Sequence, residues 1–230
     1  MGDLQLDIEV ELKDHMGDDL SVVNAARVSY SKKATWGWND GMYLKDKDVK
    51  LINYLAKHNH WSPFGHASMQ FHIKAPVFVA RQLVKHQVGL VWNEVSRSYV
   101  DDEPEFYEPE EWRGSPQNSK QGSSDEVIDI NPSGGSGPML VNDYQQVIHS
   151  AKWTYEQLLR KGVSPEQARM VLPQSMMTEW YWSGTLYAFA RVCNLRCKPD
   201  AQKETQNVGW GIDKHAAELF PTCWNALRDA

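Results

Sequence analysis

Between Lys85 and Tyr99 the chain reads KHQVGLVWNEVSRSY. It gathers a cation (Lys85), an imidazole (His86), two amides (Gln87, Asn93), a carboxylate (Glu94), two hydroxyls (Ser96, Ser98) and a guanidinium (Arg97). Such a set can bind an anion, orient a polar ring and stabilise charge developing on that ring. A solvated face does not need the apolar centre Val88 to Trp92, and a core segment does not want so many hydrogen-bonding groups. That centre is read as a buried strand or turn. Three further guanidinium groups stand in apolar surroundings: Arg81 after FVA, Arg169 in EQARMVLP and Arg196 at the end of VCNLR. A buried guanidinium needs an anionic partner. An internal salt bridge would serve any one of them, but three beside Lys85–Tyr99 favour a shared anionic ligand, and phosphate suits Arg best.

Other candidates are weaker. HNHWSPFGH places His58, His60 and His66 close together, with His72 beyond. No carboxylate lies within that cluster, and the segment reads as helix end, turn and strand. A turn that offers His60 and Ser62 to a ligand is preferred to a metal centre, and no metal is expected. Cys193 and Cys197 stand four apart on a helix without a third or fourth ligand nearby in sequence, which favours core packing over zinc. Cys223, in FPTCWN, has no base beside it to make it a nucleophile. GxGxxG and GxxxxGK[ST] are both missing, so a cofactor must be held without a Rossmann or P-loop cradle.

The elements that must position these groups can be read from periodicity. Leu4, Leu6, Ile8, Val10 and Leu12 alternate with polar residues as a half-buried strand, and Ala67, Met69, Phe71 and Ile73 do the same. Asp18 and Asp19 are placed to cap a helix through Val28, and Asp48 to Lys57 reads as a second helix. Pro76 suits the first turn of a helix through Val84. Leu140 to Arg160 reads as an amphipathic helix with Tyr144, Val147, Ala151, Tyr155 and Leu158 on one side, stopped at Gly162. Ser164 to Gln167 reads as a capping box opening the helix that carries Arg169. Met176 to Ser183 is read as strand, Thr185 to Leu195 as helix, and Ala201 to Leu219 as a last helical stripe ending at Pro221. Gly114 to Pro138 is rich in Gly, Ser and Pro and is read as a flexible loop or insertion, residues 114–138, within a single domain spanning 1–230. The fold class expected is α+β, a mixed sheet flanked by helices.

The bulk numbers are ordinary for a globular cytosolic protein. The chain has 230 residues, 41% of them hydrophobic and 23% charged. A net charge of −6 argues against a general nucleic-acid binder but leaves room for one mononucleotide in a local basic pocket. Three cysteines make no disulfide framework and point to a reducing, cytoplasmic setting. No apolar run is long enough to span a membrane, and the N-terminus lacks a signal-peptide core.

With these residues in view, PVFVARQLVKHQVGLVWNEVSRSY resembles the signature of the flavin-dependent thymidylate synthases, an Arg-His-Arg triplet followed by Asn-Glu-x-Ser-x-Arg-Tyr. GDDLSVVNAARVSY, HNHWSPFGH, ARMVLP and NLRCKPDAQKET resemble further blocks of that family in the same order. The resemblance implies synthesis of dTMP from dUMP, with methylene-tetrahydrofolate supplying the carbon and NADPH a hydride through FAD. It also implies a homotetramer with active sites shared between subunits, no nucleic-acid or membrane partner, and no cysteine nucleophile.

Carried over by position, Gln82, Lys85, Glu94, Ser96, Arg97, Arg169 and Arg196 are expected to bind substrate. Arg169 would hold the phosphate, and Arg196 would face the pyrimidine and stabilise charge there. Arg196, Ser96 and His60 are the expected catalytic-site residues. Ser29, His60, Ser62, Lys85, His86, Gln87, Val88, Thr185 and Arg191 are expected on the cofactor side, with VGLVW walling the site against water.

The departures are specific. The triplet is Lys-His-Gln, one extra residue precedes Asn93, and Ser98 stands where a phosphate-binding Arg is expected. Arg97 is one position early, and in an extended segment it would point the other way. Thr185 and Tyr187 replace an Asn and an Arg that are frequent in the family. Two alternatives follow: a flavin-dependent hydroxymethylase acting on dUMP or dCMP, and a non-catalytic nucleotide- or flavin-binding module.

Overall fold

The sheet is built by alternation. In the computed structural model, which describes residues 8–39, 41–99, 102–117, 122–130 and 140–228, the central strand β4 (Ser68–Pro76, after β1 to β3 in chain order) buries Met69, Phe71, Ile73 and Ala75. Its other side carries Gln70, His72 and Lys74. β1 (Glu9–Met16) pairs with it on one side, with an irregularity between Leu12 and Asp14. β6 (Met177–Thr185) pairs on the other, and β5 (Leu90–Glu94) forms the edge beyond, giving the order β1-β4-β6-β5. All three pairings are antiparallel, so the expected mixed sheet is corrected. None of the helices between these strands makes the crossover that sets two neighbouring strands parallel. Leu4 and Leu6, read as the start of the first strand, lie outside the described residues.

Helices cover the apolar side of the sheet. α1 (Asp19–Arg27) begins at Asp18, whose carboxylate accepts from Ser21 N–H at 2.7 Å. Asp19, read beside it as a cap, caps another helix: it is buried and accepts from the N–H groups of Thr222 and Cys223, each at 2.9 Å. These belong to α8 (Pro221–Arg228). α2 (Asp46–Lys57) follows a small hairpin, β2 (Gly37–Asn39) with β3 (Gly41–Tyr43). α6 (Leu186–Arg196) buries Leu186, Phe189, Val192 and Cys193, and α7 (Lys203–Leu219) packs on it through Val208 and Ile212. Pro76 closes β4 and precedes α3 (Val77–Leu83) instead of sitting inside it. Thr185 caps α6 by accepting from Ala188 N–H at 3.2 Å.

The remaining helices depart further from the pattern. α4 (Leu140–Arg160) runs as expected, yet of its apolar side only Tyr155 is buried, while Val147 is exposed. α4 packs on α5 (Pro165–Ala168) and the 3-10 turn Arg169–Val171, away from the sheet. Ser164 makes no side-chain cap bond, so the expected capping box is absent, although Pro165 does occupy the first turn. Among the described residues no helix is long and apolar enough to cross a membrane.

Candidate active site

The fifteen residues from Lys85 to Tyr99 run from the end of α3 through a turn into β5 and out into a second turn. Leu90 and Trp92 face the core, and Trp92 stacks on Trp180 with centroids 4.4 Å apart. Val88 and Val91 are about 70% exposed, so the apolar centre is not the buried wall that the sequence suggested. The cause is position: β5 is an edge strand, and alternation can bury only one of its sides. Gly89 and Gly184 allow the close start of this pairing. A Cβ on Gly184 would come within 2.4 Å of Leu90 Cδ2 and 2.7 Å of Gly89 O.

At the α3 end, three predicted residues meet. Arg196, the last residue of α6, donates from Nε to His86 Nε2 at 3.0 Å and from Nη2 to Gln82 O at 3.2 Å. The Gln82 amide donates to Gln202 Oε1 and accepts from the Thr205 hydroxyl at 3.3 Å, which fixes its orientation from the start of α7. Burial, then the charges of Arg196 and Arg191, push the His86 pKa down to about 4. His86 is therefore a neutral acceptor at pH 7, with its proton assigned to Nδ1 by this bond. Burial also lowers the Arg196 pKa, although the guanidinium stays charged.

At the β5 end lies a separate cavity of about 360 Å³, lined among others by Arg81, Glu94, Arg97, Arg169 and Thr178. Glu94 is held by the Thr178 hydroxyl at 2.8 Å and by Trp92 Nε1 at 3.1 Å. Arg81 and Arg169 are exposed to this space, which corrects the reading of them as buried; Arg196 alone of the three is half-buried. Gln82, His86 and Arg196 do not line this cavity. Ser96 shapes the turn beside it, accepting from Ser98 N–H at 3.3 Å through Oγ and from Tyr99 N–H at 2.9 Å through its carbonyl. The predicted residues thus fall into two clusters in the single chain, one at Gln82, His86 and Arg196 and one around this cavity.

Several of the elements that carry the residues expected on the cofactor side adjoin the start of α6. The 3-10 turn Ser62–His66 packs on both α1 and α6. Leu186 N–H bonds Ala67 O and Thr185 N–H bonds Gly89 O, which ties the start of α6 to Val88. Ser29, His60, Ser62, Lys85, Gln87 and Arg191 are all exposed. Rings stand among them: Tyr54 lies 5.9 Å from His60, and Trp61 lies 6.5 Å from Tyr187. Hydroxyls, cations and exposed rings together suit an anionic dinucleotide with a flat ring system. The Thr185 oxygen already accepts one bond as the cap of α6, which leaves its proton and one further lone pair for a ligand.

A family comparison decides the kinship: residues 11–222 match the model described as thymidylate synthase complementing protein. The chain belongs to that family. It is 39% identical over 220 residues to a flavin-dependent thymidylate synthase of Thermus thermophilus, covering 96% of this chain and 75% of that one. It is 38% identical over 218 residues to the enzyme of the same name from Kosmotoga olearia, covering 95% and 89%. Among solved structures it resembles a UMP/dUMP methylase, PolB from Streptomyces cacaoi, bound with 5-Br dUMP (TM-score 0.80, 31% identity, 98% of this chain and 96% of that one). The same methylase bound with 5-Br UMP matches at TM-score 0.77, with 29% identity, covering 97% of this chain and 95% of that one.

Several features lie outside the family-derived residues. Thr178 orients Glu94, and Gln202 with Thr205 orients Gln82; the three-residue spacing of the latter pair on one helical face was a readable signal. Cys193, Cys197 and Asp213 bring ligand atoms within 4.8 Å, but Asp213 Oδ1 already accepts from Arg228 Nε at 2.7 Å and Trp224 Nε1 at 3.0 Å. Cys223 is buried, and burial and the Asp19 carboxylate push its thiol pKa far up, the reverse of an activated nucleophile. A larger cavity of about 560 Å³, bordered by Phe78, Tyr107, Trp112 and Tyr144, includes none of the predicted site residues.

Proposed function

We propose that this protein is a flavin-dependent thymidylate synthase: it transfers a one-carbon unit to C5 of dUMP and reduces it to the methyl of dTMP. Methylene-tetrahydrofolate is the carbon source, and NADPH is the source of the hydride. A reduced FAD held on the face of Ser29, His60, Ser62, Thr185 and Arg191 would supply that hydride to the pyrimidine. The same-named relatives at 38–39% identity support the reaction, and the dUMP methylase neighbour supports the substrate.

The observation that carries the reading is the cavity beside Glu94, where Arg81, Arg97 and Arg169 converge without a carboxylate partner among the described residues. In a chain of net charge −6 such a place suits a phosphate. Arg169 binds the phosphate. Arg196, held by His86 and Gln82, orients the pyrimidine and stabilises negative charge developing on it. Glu94 orients the substrate and Ser96 keeps the turn beside it. Lys85 and Gln87 serve in place of the two missing guanidinium groups. No side chain attacks the ring: these residues bind and orient the substrate.

The division of the expected substrate residues into two clusters supports active sites completed between protomers. A homotetramer would also cover the apolar side of α4 and the exposed Val88 and Val91. The test is purification with and without added FAD, then product analysis with dUMP, dCMP and UMP. A protein-perturbed flavin band and dTMP from dUMP are expected. A 5-hydroxymethyl product would replace methylation with hydroxymethylation, and nucleotide binding without flavin or turnover would refute the enzyme reading.

A further inference from the structure

We infer that Arg97 is the relocated phosphate anchor of this chain, standing in for the Arg that the family signature places where Ser98 stands. The inference rests on the dUMP reading above. In an extended segment, residues 97 and 98 would point to opposite sides. The segment after β5 is instead a turn, closed by Tyr99 N–H on Ser96 O at 2.9 Å and Ser98 N–H on Ser96 Oγ at 3.3 Å. Arg97 lines the arginine cavity and Ser98 does not.

The Arg97 guanidinium is held by one edge. Its Nη1 donates to Asp102 O at 2.6 Å, which positions the plane without neutralising it. Among the described residues Arg27, Arg113, Arg160 and Arg228 each pair with a carboxylate, while Arg81, Arg97 and Arg169 do not. With 30 acidic side chains against 24 basic ones, three carboxylate-free guanidinium groups around one cavity mark a place kept for an external anion. Glu94 lines the same cavity but forms no ion pair with any of the three among the described residues, its oxygens being held by Thr178 and Trp92. A phosphate dianion between Arg97 and Arg169 would receive forked N–H donors from two directions, as the absent Arg would have provided. The ligand class is a 5′-nucleoside monophosphate, and Arg97 sets the preference for the phosphate over the free nucleoside.

The experiment is calorimetric titration of the flavin-loaded protein with dUMP and with deoxyuridine. The variants are Arg97→Ser, Arg97→Lys and Ser98→Arg, each compared with wild type. Arg97→Ser is expected to weaken dUMP binding roughly ten- to hundredfold and to leave deoxyuridine within about twofold. Arg97→Lys should restore part of the loss, since it keeps the charge and loses the fork. Ser98→Arg should leave dUMP binding within about twofold, because Ser98 is not among the residues that line the cavity and Arg97 already supplies the anchor. Unchanged dUMP affinity in Arg97→Ser, or an equal loss for deoxyuridine, overturns the anchor. If Arg97→Ser is neutral while wild type makes dTMP, only the anchor fails; if wild type binds no dUMP, the functional reading fails with it.

Discussion

Lowering the pH through the titration of His86 breaks the bond that holds Arg196. Nε2 accepts from Arg196 Nε at 3.0 Å, and an imidazolium would present a hydrogen there to a cation. Burial and the two nearby guanidinium groups move the His86 pKa from 6.5 down to about 4. At a pH of about 5.5 a free imidazole is roughly ten to one protonated, whereas one with the His86 value is protonated in roughly one molecule in thirty. The unfolded chain takes up the proton first, so this group's contribution to stability is whole above about pH 6.5 and is lost as pH falls toward 4. A fully buried imidazole moved that far would carry ~3 kcal/mol; half exposure to solvent reduces this to ~1–2 kcal/mol. The assay is an NMR titration of labelled histidine, with His86→Gln assigning the resonance, alongside urea midpoints at both ends of the range. A His86 midpoint at or above 6.5 refutes the Arg196–His86 arrangement, and a urea midpoint that does not move refutes the linkage.

Other outcomes follow from the same geometry. Thr178→Val removes the 2.8 Å donor to Glu94 and should weaken dUMP binding by ~1.5–3 kcal/mol, read by titration against an unchanged melting temperature. Asp19→Ala leaves two N–H groups of α8 without their acceptor; a loss of ~1–3 kcal/mol is expected in chemical denaturation. Gly184→Ala forces a Cβ against the backbone of Gly89 and should cost ~1–3 kcal/mol, with loss of substrate affinity because β5 carries Glu94. An unchanged denaturation midpoint would refute that close approach.

The strands of the central sheet were legible because each side of β4 and β6 meets a different environment, so period-two alternation survives in the residues. α1 announced itself through Asp18, whereas Thr185, read as the first residue of α6, is its cap. Strand direction was not legible, since helices between strands are compatible with either direction until the order β1-β4-β6-β5 is known. The hairpin of β2 and β3, which pairs Gly37 with Tyr43 and Trp38 with Met42, was not legible from periodicity, because each strand has only three residues. Arg97 was misplaced by assuming an extended chain where Ser96 closes a turn. The apolar side of α4 looked like a core-facing stripe, but periodicity tells which residues share a side and not what covers them. Of the site, the residue types and their order were legible. Their division into two clusters, and the supporting Thr178, Gln202 and Thr205, depend on contacts 84 to 123 residues apart.

The Asp19 carboxylate has a consequence for synthesis on the ribosome. Its two acceptor bonds reach N–H groups 203 and 204 residues later in the chain. During translation Asp19 emerges long before α8 exists, and burying it early would strand a charge without donors. The α1 end of the molecule must therefore stay hydrated until α8 has been made. Closure of this loop is a late event that demands contact between distant parts of the sequence. Nascent chains stalled before α8 should be cut by protease near α1, whereas released chains should resist at the same place.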